Sequence, residues 1–235
     1  MTDGQTASDM QPADDMQPAD DSQPAHAQGL LMDWGGVMTG NLFGSFAAFC
    51  EQEDLDPQAL ATAFRTDEQT RSMLIGFEEG RIAENEFEEW VGSLLGLASA
   101  DGLVGRLFAG ASIEGTMVDA VRAARAAGVR TGLVSNSWGT SRYPRPLLDE
   151  LFAGIVISGE IGIRKPAPRI YELGAEAIGL EPERCIFVDD LPFNLPPAEA
   201  LGMTAIHHTS PQSTIERLER ELGVELTRAA PAAGE

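Results

Sequence analysis

Three apolar runs of the chain each end in a residue capable of chemistry. Leu30-Leu31-Met32 stops at Asp33, Val129–Val134 at Ser135-Asn136, and Cys185–Val188 at Asp189-Asp190. Lys165 follows a fourth run, Ile155–Ile157, at a slightly greater distance. Three carboxylates, a hydroxyl and an ammonium form a set suited to phosphoryl transfer. A carboxylate attacks phosphorus, positive charge offsets the transferring oxygens, and a hydroxyl holds one of them. One carboxylate in such a place is as readily a helix cap; the combination is what signals a site. Lys165 stands out further, because fifteen of the sixteen basic residues are arginine and it is the only lysine.

The elements that must position these residues are legible in the hydrophobic pattern. A fifth apolar run covers Met203–Ile206, and helical stripes lie between the runs. Val118, Val121 and Ala124 form one stripe before Gly128, and Ile170, Leu173 and Ala177 another before Gly179. Residues 195–201 and 214–222 carry two more. Strands alternating with helices predict an α/β fold with a mostly parallel sheet covered on both faces. The carboxyl ends of such strands gather along one edge, where ligands bind. Residues 42–112 differ, showing helical stripes without strands. Phe87, Trp90, Val91, Leu94 and Leu95 make one apolar face, and Glu84, Glu86, Glu88 and Glu89 read as its solvated opposite. This region is expected to be a helical insertion after the first strand.

Composition narrows the function. The chain has 235 residues and a formal charge of −21. Such a surface repels nucleic acid and anionic lipid, so neither is expected as a partner. No run approaches the roughly 20 apolar residues of a membrane span, and the N-terminus lacks the apolar region of a secretory signal. A cytoplasmic, soluble protein is expected. The repeats DMQPAD, DMQPAD and DSQPAH over residues 9–26 hold too few apolar groups to order a chain, so residues 1–28 are expected to be disordered, as are 229–235. Cys50 and Cys185 form no disulfide framework or zinc cluster and read as packing residues. His207 and His208 lack metal-ligand spacing and read as surface or edge-strand residues. Asn194 reads equally well as a group orienting the acidic loop or as a helix N-cap.

The sequence resembles the haloacid dehalogenase superfamily of aspartate-nucleophile hydrolases over roughly residues 29–225. Four ordered motifs carry the resemblance: LLMDWGGVMTG at 30–40, GLVSNSWG at 132–139, GIRKPAPRIYELGAEAIGL at 162–180 and CIFVDDLPFNLPPAEALGM at 185–203. Within them, SNSW and DDLPFNLPPAEALGM are most similar to the phosphatase-like N-terminal domain of soluble epoxide hydrolases. The resemblance implies a Rossmann-like core (29–41 and 113–228) with a small helical cap (42–112) inserted after the first strand. It implies that Asp33 is the nucleophile and passes through an aspartyl phosphate. It further implies Mg²⁺ held by Asp33, the Gly35 carbonyl and Asp190, with Asp189 supporting the metal or pairing with Lys165. Lys165, Ser135 and the Asn136 amide would bind the phosphate of a small phosphorylated metabolite, with Trp138 at the pocket edge. Phe43, Phe46 and Tyr143 are further candidates for the entrance.

One position departs from the family. Its phosphatases carry a second aspartate two residues after the nucleophile, which protonates the leaving group; here that residue is Gly35. Losing a general acid typically costs about 10²–10⁴-fold in rate. The expected function is therefore a Mg²⁺-dependent phosphatase that uses water or another side chain in place of that acid, or favours leaving groups that need little protonation, such as sugar 1-phosphates or acyl phosphates. A phosphate-binding module with little turnover is the alternative. A dehalogenase is a lesser one, since such enzymes typically have an aromatic residue at position 35. A lysine-based Schiff-base route is excluded because residues 42–112 contain no lysine. The polarity of the cleft above Asp33 separates substrate classes: a narrow polar pocket suits sugar or acyl phosphates, and a long apolar channel suits lipid phosphates.

Overall fold

The computed structural model describes residues 27–227; the disorder expected of residues 1–26 and 229–235 lies outside them. Ala27 and Gln28, expected to be disordered too, are instead held by backbone bonds, Gln28 N–H donating to the Arg184 carbonyl and its own carbonyl accepting the Arg130 N–H, both at 2.9 Å. Strands β1 (Gly29–Met32), β2 (Arg130–Ser135), β3 (Gly154–Ile157), β4 (Cys185–Asp189) and β5 (Thr204–His207) pair in parallel in the order β3-β2-β1-β4-β5. Each apolar run of the sequence lies in or beside one of these strands. Met32 pairs with Leu133 on one side and Val188 on the other, and Val188 pairs with Ile206. One residue further on, Asp33 emerges level with Asp189, its N–H donating to the Val188 carbonyl at 2.9 Å. Register alone thus brings the two carboxylates to the same edge.

Alternation along β1 divides the core in two. Between β1 and β2 the chain forms α1 (Leu42–Gln52), α2 (Ala59–Thr66), α3 (Glu68–Glu78), α4 (Glu84–Leu95), α5 (Leu103–Leu107) and α6 (Gly115–Ala126). Beyond β2 come α7 (Arg145–Leu151), α8 (Ser158–Ile161), α9 (Pro168–Ala177), α10 (Leu195–Ala200) and α11 (Pro211–Leu222). Leu30 and Met32 pack beneath α6, α7 and α11. Leu31 points the other way, into a cluster with Ile170, Tyr171 and Ala175 of α9 and Ala198 of α10. Both faces are therefore buried, which is why the strands read as unbroken apolar runs. Cys185 is buried within this second cluster, consistent with a packing role.

Helices α1–α5 form the insertion and bury a core of their own, with Phe49, Cys50, Leu60, Phe77, Phe87, Val91, Leu103, Val104 and Leu107. Its two connections run side by side: Gly40 N–H donates to the Ser112 carbonyl at 2.8 Å and Glu114 N–H to the Met38 carbonyl at 2.9 Å. The glutamates of α4 differ from the expected solvated face. Glu86 and Glu89 are exposed, but Glu88 is buried and accepts the Gly102 and Val104 N–H groups at 3.2 and 2.9 Å. Those groups open α5, and a helix start needs acceptors and favours negative charge. Glu84 pairs with Arg142 across the junction between insertion and sheet. Among the described residues no helix is long and apolar enough to cross a membrane.

Candidate active site

The sheet edge delivers Asp33, Ser135-Asn136, Lys165 and Asp189-Asp190 to one place. Asp33 is buried, and its Oδ1 accepts the Trp34 N–H at 2.7 Å and lies 2.8 Å from Lys165 Nζ. The same ammonium sits 2.6 Å from Asp189 Oδ2, so the lysine bridges two strand ends. With 1% of its surface exposed, Lys165 stays charged because its two carboxylate partners outweigh burial. Burial alone pushes its pKa down; Asp189 and Asp33 turn the net shift upward. Asp189 is fully enclosed, and its Oδ1 accepts the Leu191 N–H at 2.9 Å and Asn194 Nδ2 at 3.0 Å. Asn194 therefore orients the acidic loop, and its side chain makes no capping bond to α10.

Asp190 projects towards the turn after β1. A Cβ on Gly36 would overlap the Asp190 carboxylate, and Gly36 holds a φ of +74°, so only glycine serves there. Carboxylate oxygens of Asp33, Asp189 and Asp190 lie within 4.8 Å of one another. Burial pushes the Asp33 carboxyl well above its ordinary range, with Lys165 opposing and Asp189 and Asp190 adding to the rise. Burial and Asp189 push Asp190 up to about 6. A cluster that strains against its own charge, built of hard oxygen donors, fits a divalent cation.

Ser135 Oγ and the Tyr143 hydroxyl lie 2.9 Å apart. Burial holds the Tyr143 pKa far above that of an ordinary phenol, so it remains an O–H group. Asn136 spends its side chain on the backbone of Lys165. Its Oδ1 accepts the Lys165 N–H at 2.8 Å, and its Nδ2 donates to the Lys165 carbonyl at 3.1 Å. The remaining proton points to Glu78 Oε2 at 3.4 Å. Trp138 leaves the sheet and inserts into the aromatic core of the insertion, with ring centroids 5.4 Å from Phe46, 5.5 Å from Phe108 and 5.7 Å from Phe87.

A cavity of about 460 Å³ lies between these groups and the insertion. Trp34, Gly35, Ser135, Asn136, Trp138 and Tyr143 line it from the sheet side, and Leu42, Phe108 and Ile113 from the insertion and its connection. Arg142 is the one charged side chain on its wall, and it is paired with Glu84. Phe43 stands exposed beside Leu42, and Phe46 packs against Phe108 and Trp138. His207 Nε2 lies 3.0 Å from the Asp190 carbonyl on an edge strand; His208 is buried with Nδ1 2.9 Å from Thr214 Oγ1. Reasoning from sequence missed Glu78, Arg142 and Arg164. Two glutamates closing α3 are the signal, since negative charge is disfavoured at a helix C-terminus unless something else holds it.

The chain is 35% identical over 117 residues to acyl-CoA dehydrogenase family member 10 of Mus musculus, covering 49% of this chain and 11% of that one. It is 29% identical over 125 residues to bifunctional epoxide hydrolase 2 of Rattus norvegicus, covering 50% and 23%. The chain thus spans less than a quarter of the length of either relative. The sesquiterpene phosphatase astK of Aspergillus oryzae is 28% identical over 154 residues, covering 63% and 78%. In fold, the chain is similar to a HAD family enzyme of Bacteroides thetaiotaomicron solved as a magnesium complex, with a TM-score of 0.59, 20% identity, and coverage of 82% and 99%. Over residues 27–202, which contain Asp33, Lys165 and the Asp189-Asp190 pair, the sequence matches haloacid dehalogenase-like hydrolases, and the chain belongs to that family.

Proposed function

We propose that the protein is a Mg²⁺-dependent phosphatase that hydrolyses a small phosphate ester through Asp33. The observation that carries this reading is Lys165, buried and bridging Asp33 and Asp189, with Trp34 and Asn136, which bond to Asp33 and to the Lys165 backbone, on the wall of the neighbouring cavity together with Ser135. Asp33, Asp190 and the Gly35 carbonyl would hold the metal, which when bound neutralises charge between the carboxylate and the phosphate dianion. With Asp189 committed to Lys165, Leu191 and Asn194, its role is to fix the lysine.

The Asp33 oxygen not bonded to Lys165 attacks phosphorus. An O–P bond to Asp33 forms, the ester P–O bond breaks, and the leaving oxygen takes its proton from solvent water, the resulting hydroxide being neutralised by the proton lost from the water of the second step. Water then attacks phosphorus, releasing phosphate and restoring the carboxylate. Ser135 Oγ lies 2.9 Å from the Tyr143 hydroxyl, and with Tyr143 as the donor the serine's own proton would be left for a phosphate oxygen. Asn136 sets the backbone of Lys165. Residues 42–112 act as the cap that closes the cavity over the organic part of the substrate.

The cavity wall favours an apolar organic group over a sugar, since Leu42, Phe108, Ile113, Trp34 and Trp138 dominate it. The Aspergillus relative, a sesquiterpene phosphatase, points the same way. A series of n-alkyl phosphates with Mg²⁺, set against glucose 1-phosphate and acetyl phosphate, tests this reading. Expected is a rise in kcat/KM of about fourfold per methylene until the cavity is filled. A preference for the sugar phosphate would refute the substrate class. Absence of turnover with all of them would favour the binding module, for which the bare Gly35 is the supporting observation.

A further inference from the structure

Glu78 closes α3, in the insertion, yet its side chain is buried against the sheet edge, with 7% of it exposed. Its carboxylate accepts Arg164 Nε and faces Asn136 Nδ2. Its backbone carbonyl accepts Ser158 Oγ at 2.5 Å, and that hydroxyl in turn accepts the Ser137 N–H at 2.8 Å. One residue of the insertion is therefore bonded, directly or through one group, to the segment after β2 (Asn136, Ser137) and to the segment after β3 (Ser158, Arg164). The first segment follows directly on Ser135, and the second carries Lys165.

We propose that Glu78 is a positioning residue that locks Asn136 and Arg164, and so makes the seat of Lys165 depend on how the insertion is docked. This rests on the reading of Asp33 and Lys165 as the reaction centre. Asn136 has no freedom left once Glu78 is in place. Its oxygen and one amide proton bracket the Lys165 peptide, and its second amide proton goes to Glu78. Rotating the amide would set NH₂ against the Lys165 N–H and its oxygen against both the Lys165 carbonyl and the Glu78 carboxylate, so the carboxylate and the Lys165 peptide together hold one of two orientations. Docking is close at the next turn too. Gly80 holds a φ of +70°, and a Cβ there would stand 2.5 Å from the Gly159 carbonyl oxygen.

An ion pair with Arg164 alone would give Glu78 a purely structural role, and the two roles predict different results. The variants are E78L, R164M, E78L/R164M and E78Q in the full chain. Lys165 is the only lysine, so amine-selective acylation read by peptide mass spectrometry reports its seating without any need for turnover. Replacing a buried pair by apolar residues of similar volume is often neutral or stabilising, so the double variant is expected to keep its thermal midpoint. Its Lys165 is nevertheless expected to acylate about tenfold faster, and kcat/KM for p-nitrophenyl phosphate with Mg²⁺ to fall about 10- to 100-fold, as when supporting partners of a site are lost. A double variant with wild-type acylation and wild-type kcat/KM overturns the proposal. Should the double variant fail to fold, E78Q decides: faster acylation with a lower kcat supports the proposal, and wild-type values overturn it. Absence of wild-type turnover, with the acylation difference intact, would refute the phosphatase reading and leave the positioning role standing.

Discussion

Gly35→Asp puts back the acid that this sequence lacks, and the structure says how easily it fits. Gly35 lies on the cavity wall, and a Cβ there meets Leu42 Cδ1 at 2.8 Å and Leu42 Cγ at 3.9 Å. Ordinary carbon–carbon contact is about 3.5–4.0 Å, so the leucine must withdraw by roughly 1 Å. Leu42 is half-exposed at the start of α1 and contacts with the end of its side chain. The steric cost is therefore at the low end of the ~1–3 kcal/mol typical of overpacking. Against this stands a general acid two residues from Asp33, the proposed nucleophile, worth about 10²–10⁴-fold. The gain must depend on the leaving group. Hexyl phosphate, whose alkoxide needs a proton, is expected to gain about 10²-fold in kcat/KM in G35D. Hydrolysis of p-nitrophenyl phosphate, with its stable phenolate, is expected to change little. G35N adds the same bulk without the acid and is expected to gain with neither ester. Parallel steady-state measurements on both esters decide. Equal gains on both, a G35N gain matching that of G35D, or no gain with hexyl phosphate would show that a missing proton donor does not limit the rate.

Three other perturbations follow from the same geometry. Lys165→Met strands Asp33 and Asp189 as buried carboxylates; breaking such a pair typically costs about 3–5 kcal/mol, read as a drop in the thermal midpoint. A midpoint within 1–2 °C of wild type would refute the bridge. Asp190 binds its proton more tightly when folded, at about 6 against an ordinary 3.8, so the metal-free protein should lose stability as pH rises from 4 to 6 relative to D190N. Mg²⁺ should flatten that difference, and parallel pH profiles of the two proteins would contradict it. Glu88→Ala removes the acceptor at the start of α5 and is expected to cost about 0.5–2 kcal/mol by denaturant unfolding, as for a lost helix cap. No change there would mean that water satisfies those N–H groups.

What could be read in the sequence follows from how local each signal is. The strands were legible because both faces of a parallel sheet are buried, so Leu30–Met32 and Cys185–Val188 appear as unbroken apolar runs ending in Asp33 and Asp189. The meeting of these residues followed, since parallel strands have one carboxyl edge. The departure at Gly35 was also visible, as a residue type at a fixed spacing. The insertion was legible only as helical. Its glutamates looked alike in sequence, but Glu88 caps α5 fourteen residues on and Glu84 reaches Arg142 fifty-eight residues away. Glu78 was hidden for the same reason, because its partners Asn136 and Arg164 are contributed by two other segments. Trp138 was read as a pocket-edge residue; the structure adds that it also completes the aromatic core of the insertion, a contact no spacing rule encodes.

The central claim is that Asp33 carries the phosphoryl group. Acid-quenching the protein during turnover of p-nitrophenyl phosphate with Mg²⁺, followed by peptide mass spectrometry, tests it directly. The account predicts a phosphorylated Asp33 in the wild-type protein, and neither that adduct nor phosphate release in D33N. Phosphate release that persists in D33N would contradict it.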